Sequence, residues 1–121
     1  MGRSPRSVLI VDDDPDLRLC LRSLLEEEGY QVLEAADGDA ALAACDQEPT
    51  LVLVDFHLPG TLTGSALVTA LRGCLGPRAW ILLLTGDESL RSRVTELGAD
   101  GLIEKPFDLP DLLHLVEQHG A

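Results

Sequence analysis

Positive charge is scarce in this chain of 121 residues. Nine Lys and Arg stand against 21 Asp and Glu, for a formal net charge of -12. That shortage excludes direct binding to nucleic acid or to an anionic membrane surface, since both need clustered Lys and Arg. Lysine occurs once, at Lys105, so one ammonium can be tested without competitors. Long hydrophobic runs are also missing. Nothing approaches a membrane span, and the four-residue apolar run after Arg3 and Arg6 meets three aspartates, which a secretory signal does not tolerate. The expectation is a cytoplasmic protein. Cysteine is limited to Cys20, Cys45 and Cys74, an odd number without C-x-x-C spacing, so neither a disulfide framework nor a zinc site is supported and free, mostly buried thiols are expected. Repeats, low-complexity stretches and linkers are absent, and the length suits one domain, taken as residues 7–121 behind a flexible 1–6.

What the chain does have is a set of short apolar runs that stop on polar residues. Val8 to Val11 stops on Asp12-Asp13-Asp14, Leu51 to Val54 on Asp55, and Ile81 to Leu84 on Thr85. A fourth, from Gly101 to Glu104, stops on Lys105-Pro106. Runs of this length and composition read as parallel strands buried on both faces. In an open α/β sheet the ligand crevice lies beyond the carboxyl ends of the strands, which gathers these carboxylates, the hydroxyl and the ammonium at one place. Such a set suits a divalent cation beside a phosphate.

Between the strands lie helix signals. Asp14 is an N-cap with Pro15 at the first helical position, Leu17, Leu21, Leu24 and Leu25 form a stripe, and Gly29 closes the helix. Tyr30 to Ala35 reads as a strand. Asp37 starts a helix through Ala40 to Cys45, ended by Pro49. A helix with Leu67, Ala70 and Leu71 on one face is stopped by Gly73 and Gly76-Pro77. Asp87 caps a fourth helix with Leu90, Val94 and Leu97 inward, closed by Gly98. Asp108 caps a fifth with Leu112, Leu113, Leu115 and Val116. Five strands alternating with five helices predict a parallel sheet covered on both faces.

The matching residues are Val11-Asp12-Asp13, Asp55 with Pro59 four positions on, Thr85 before the small Gly86, and Lys105-Pro106-Phe107. Thirty residues separate Asp55 from Thr85 and twenty separate Thr85 from Lys105, each at a strand end. In these features the whole chain resembles the receiver domain of two-component response regulators. The resemblance implies a flavodoxin-like doubly wound sheet of order 2-1-3-4-5. It implies phosphorylation of Asp55 by a histidine kinase or phosphotransfer protein, assisted by Thr85 and Lys105, with no other enzymatic turnover. It also implies Mg2+ held by Asp12, Asp13, Asp55 and the backbone carbonyl of His57, and a cis peptide between Lys105 and Pro106. On phosphorylation the Thr85 loop and the fourth-helix surface change. The resemblance further implies that a kinase docks near the first helix, where Arg18 is taken as exposed, and the loops around Asp55, and it allows weak or phosphorylation-dependent dimers. The physics agrees: magnesium takes hard oxygen ligands, and phosphoryl transfer asks for alignment and for cationic or donor groups at the phosphoryl oxygens.

Two departures bear on output. Leu102 stands three residues before the lysine, where the family usually has an aromatic ring. The loop from Pro59 to Gly64 is one residue longer than the common pattern, resembling receivers of hybrid kinases or stand-alone receivers more than those of DNA-binding regulators. Alternative readings are a non-switching receiver-like binding module and a receiver fragment of a hybrid histidine kinase or longer regulator. A small magnesium phosphatase using Asp12 and Asp14 is a third, disfavoured because no cap insert is present. A calcium loop on Asp12, Asp14 and Asp16 fails because Leu17 stands where that loop needs glycine. His57, His114 and His119 read as solvated surface residues, and Arg91 and Arg93 as a polar helix face.

Overall fold

A computed structural model describes residues 6–119. The expected flexible segment falls, except for Arg6, outside the described residues. Five strands form one sheet: β1 (Ser7–Val11), β2 (Gln31–Ala35), β3 (Leu51–Asp55), β4 (Trp80–Thr85) and β5 (Gly101–Glu104). All pairs are parallel, in the order β2-β1-β3-β4-β5. This is the expected flavodoxin-like order.

The three central strands, β1, β3 and β4, carry unbroken apolar runs because both of their faces are covered. Leu9, Val11, Val52, Val54, Ile81 and Leu83 pack in one cluster with Ala41 of α2 (Gly38–Ala44) and with Leu67, Val68 and Leu71 of α3 (Gly64–Leu75). Their neighbours in sequence, Val8, Ile10, Leu51, Leu53, Leu82 and Leu84, pack on the opposite face with Leu21 and Leu25 of α1 (Pro15–Glu27) and with Leu112 and Val116 of α4 (Leu109–His119). The two-residue period of a strand sends successive side chains to opposite cores, so a continuous apolar run is what this architecture needs.

The caps follow the residues that signalled them. Asp14 accepts from the backbone N–H groups of Asp16 and Leu17, with Pro15 at the start of α1, and Gly29 takes φ +92° just past its end. Asp37 accepts from the Ala40 N–H at the start of α2. Gly73, expected to help stop α3, lies inside it, and Gly76 is the residue that ends it.

One expected helix is corrected. The stretch after β4 forms a 3-10 segment at Glu88–Arg93 followed by turns, leaving four α-helices among the described residues. Asp87 Oδ1 accepts from both the N–H and the Oγ–H of Ser89, and Ser92 Oγ donates to the Ser89 carbonyl. Such side chains compete for the backbone groups that an α-helix would pair. Leu90, Val94 and Leu97 still face the core as expected. Arg91 and Arg93 are engaged in ion pairs with Glu104 and Glu96.

Arg72, in the last turn of α3, ties the far end of the sheet together. Its guanidinium donates to the carbonyls of Gly98, Gly76 and Ala79 and to Asp100 Oδ2 at 2.6 to 3.1 Å. Asp100 in turn accepts from the Ile81 N–H at the start of β4. Because removing a charged donor leaves half-buried carbonyls unpaired, Arg72→Ala should lower stability by about 2 kcal/mol, read as a shifted urea midpoint at unchanged slope.

Candidate functional site

The parallel register brings the polar strand ends together. Val11 pairs with Val54 and Thr85 with Glu104, so Asp12 sits beside Asp55, and Lys105 beside Thr85. Lys105 lies 93 residues from Asp12 in sequence, yet its Nζ donates to Asp12 Oδ2 at 3.0 Å and pairs with Asp55 Oδ2 at 3.4 Å. Its backbone N–H donates to the Thr85 carbonyl at 2.7 Å, and the Lys105–Pro106 peptide is cis, as expected.

Asp12 is 1% exposed and Asp55 7%, whereas Asp13 is exposed. Oxygens of all three carboxylates lie within 4.8 Å of one another. Three carboxylates so close repel unless positive charge stands between them, and the Lys105 ammonium supplies part of it. Burial pulls that ammonium down, but the hydrogen bond and charge of Asp12 and the charge of Asp55 outweigh it and hold Lys105 above the ordinary lysine range. The remaining donors are local: Asp12 Oδ1 accepts from the Asp14 N–H and Asp55 Oδ1 from the His57 N–H, both at 2.9 Å. Hard carboxylate oxygens, clustered and only partly neutralised, fit the divalent cation that the sequence implied.

Thr85 is fully buried, and its hydroxyl is engaged twice. It accepts from the Asp87 N–H at 3.0 Å, and His57 Nε2 lies 3.0 Å from the same oxygen. His57 is exposed, as expected of a surface histidine, but its ring also bridges the loop after β3 to the end of β4. A single histidine in an aperiodic loop carries no sequence signal for that contact. His114 is exposed and bonds Gln118, and the side chain of His119 lies outside the described residues.

Arg18 also departs from expectation. Its side chain is 18% exposed, and it donates to the Asp12 backbone carbonyl at 2.6 Å and to Glu34 at 3.0 Å. The Arg22 and Arg18 guanidiniums hold the Glu34 carboxyl below the usual range. Arg18 thus braces the acidic strand end rather than presenting itself to a partner. Beside Lys105, a groove of about 560 Å³ runs between α1 and the start of α4, lined by Leu17, Cys20, Pro106, Phe107 and Leu109. Leu102 is buried at 7% in the core cluster on the α3 side, and a Cβ at Gly86 would meet nothing closer than the Lys105 carbonyl at 3.8 Å.

The chain is similar to known proteins in sequence and in fold. The chain is 36% identical over 107 residues to the transcriptional regulatory protein KdpE of Mycobacterium tuberculosis, covering 88% of this chain and 47% of that protein. It spans about half the length of the curated relatives it matches. Among solved structures, the chemotaxis response regulator CheY4 of Vibrio cholerae superposes with a TM-score of 0.85 at 31% identity, covering 95% of this chain and 98% of that one. A CheY-like receiver domain protein of Methanospirillum hungatei gives 0.87 at 34% identity, covering 97% and 94%. No helix among the described residues is long and apolar enough to cross a membrane. The model of the response regulator receiver domain matches residues 8–117, and the chain belongs to that family.

Proposed function

We propose that Asp55 is the phosphoacceptor of this receiver. The observation that carries the reading is the Lys105 ammonium set between Asp12 and Asp55 at the rim of a three-carboxylate cluster. An Asp55 oxygen attacks the phosphorus of a kinase phosphohistidine; the O–P bond forms as the N–P bond breaks, and water later hydrolyses the acyl phosphate. Lys105 is the point charge for one phosphoryl oxygen and the Thr85 hydroxyl the donor for another. Asp12, Asp13, Asp55 and the His57 carbonyl are the residues that would hold magnesium. When bound, magnesium supplies the charge that lets an anionic phosphoryl group approach a carboxylate.

The partner is a histidine kinase or phosphotransfer protein, and the domain works in the cytoplasm with no turnover beyond its own phosphorylation and dephosphorylation. Its docking surface is the groove beside Lys105, with Leu17 and Phe107 in its lining, rather than Arg18. Phosphorylation of Asp55 shifts the equilibrium of the Thr85 loop and the 88–93 segment. Incubation with acetyl phosphate and magnesium, followed by intact mass, tests the acceptor: a gain of one phosphoryl supports it, and no gain with any donor ends it.

His57 sets the position from which Thr85 must move. To reach a phosphoryl oxygen the hydroxyl gives up its bond with the imidazole, a cost of about 1 kcal/mol. His57→Ala keeps the backbone carbonyl and removes that bond, together with the edge contact of the imidazole on the Phe56 ring. Steady-state phosphorylation at limiting donor should rise by about fivefold; unchanged occupancy would mean that the imidazole does not restrain Thr85.

A further inference from the structure

Two thiols meet at the end of the molecule away from the strand carboxyl ends. Cys45 begins the 3-10 turn Cys45–Gln47 that follows α2 and is buried; Cys74 lies in the last turn of α3 and is exposed. Cys45 Sγ donates to the Ala41 carbonyl at 3.5 Å, and the Cys74 side chain is near enough to perturb the Cys45 thiol. Both line one cavity of about 210 Å³ together with Thr50, Leu75, Arg78 and Ala79, which gives a small molecule a way to the buried sulfur. The expectation of mostly buried thiols therefore holds only for Cys45. Cys20 is exposed on α1, which packs on the other face of the sheet, and provides an internal comparison.

We propose that Cys45 and Cys74 form a redox-sensitive site that hydrogen peroxide converts to an intramolecular disulfide. The exposed Cys74 sulfur attacks a peroxide oxygen; the O–O bond breaks, one water leaves, and Cys74 becomes a sulfenic acid. The Cys45 sulfur then attacks the Cys74 sulfur, the S–S bond forms, and the S–O bond breaks. The departing hydroxide takes the Cys45 proton as a second water, so two thiols are oxidised while one peroxide is reduced. The division of roles follows from the setting. Burial, then the neighbouring Cys74 and Asp46, push the Cys45 thiol up to about 11, which keeps it protonated and unreactive toward peroxide until a sulfenic acid stands beside it. Disulfides of this kind, outside secreted frameworks, are transient and sensing rather than structural. The bond would close a covalent loop around β3, Asp55 and α3.

The full chain carrying Cys20→Ser, reduced and freed of reductant, is exposed to peroxide, quenched, denatured and treated with N-ethylmaleimide before intact mass. The reduced protein should take two maleimides; the oxidised protein should take none, weigh two hydrogens less, and return to the first state with dithiothreitol. In the added Cys45→Ser variant the reaction should stop at a Cys74 sulfenic acid that dimedone captures. Because the fold holds the sulfurs together, the bond should form at least about tenfold faster in the folded chain than in urea. Two maleimides after peroxide, disulfides only between molecules, or equal rates folded and unfolded would overturn the site. Should Cys20→Ser fail to fold, a peptide map of the peroxide-treated natural chain decides the same question by the presence or absence of a linked Cys45–Cys74 peptide.

Discussion

Asp55→Asn should abolish phosphoryl uptake while leaving the fold in place. An amide oxygen of similar shape still accepts the His57 N–H that now bonds Asp55 Oδ1 at 2.9 Å, so the turn after β3 keeps its support. What disappears is the anionic oxygen that attacks phosphorus, and with it the reaction; the expected fall in labelling from acetyl phosphate is at least about a hundredfold. Stability should hold or rise, because one of three mutually repelling carboxylates is gone while Lys105 keeps its 3.0 Å bond to Asp12. Intact mass gives the first quantity and a urea midpoint the second. A variant that still gained one phosphoryl would place the acceptor elsewhere, with Asp12, Asp13 and the histidines the next to substitute.

Gly38→Ala should be the most damaging of the conservative stability changes. Gly38 is buried at the first position of α2, and a Cβ there would collide with the backbone carbonyl oxygen of Leu62 and crowd the Leu62 side chain. A flexible side-chain tip could turn aside, but a backbone carbonyl can yield only if the Pro59 to Gly64 loop moves or α2 shifts from the sheet. Overpacking of this kind costs about 3 kcal/mol. The displaced loop is the one that follows Asp55, so phosphorylation should slow as well. A parallel Gly73→Ala substitution, at a helical position whose Cβ meets nothing within 4 Å, should be neutral or mildly stabilising. Equal urea midpoints for the two variants would show that the Leu62 loop yields freely.

Much of the site was legible because it lies where strands end. Asp12, Asp55, Thr85 and Lys105 each follow an apolar run, and a parallel sheet with right-handed crossovers puts all such ends on one edge. The capping residues Asp14 and Asp37 were legible for a similar reason, since an N-cap bonds within its own first turn. The region after β4 was read as α-helix from Leu90, Val94 and Leu97, whose spacing is correct for burial. The serines between them and Asp87 bond locally and turn that segment into a 3-10 form. Arg18 reads as an exposed residue of the first helix, yet its long guanidinium reaches back to the Asp12 carbonyl.

The sequence by itself determined the alternation of strands and helices in a parallel sheet and the group of side chains at its carboxyl edge, because these depend on local periodicity, while the strand order is what the resemblance to receivers implies. Only the tertiary structure decided which of those side chains touch. The bond from His57 to Thr85, the brace from Arg18 to Asp12, the close approach of Gly38 to Leu62 and the meeting of Cys45 with Cys74 all join segments whose separation no periodic pattern records. Each depends on differences of an ångström or so in how loops and helix ends settle on the sheet. Close packing sets such distances for the whole molecule at once rather than residue by residue.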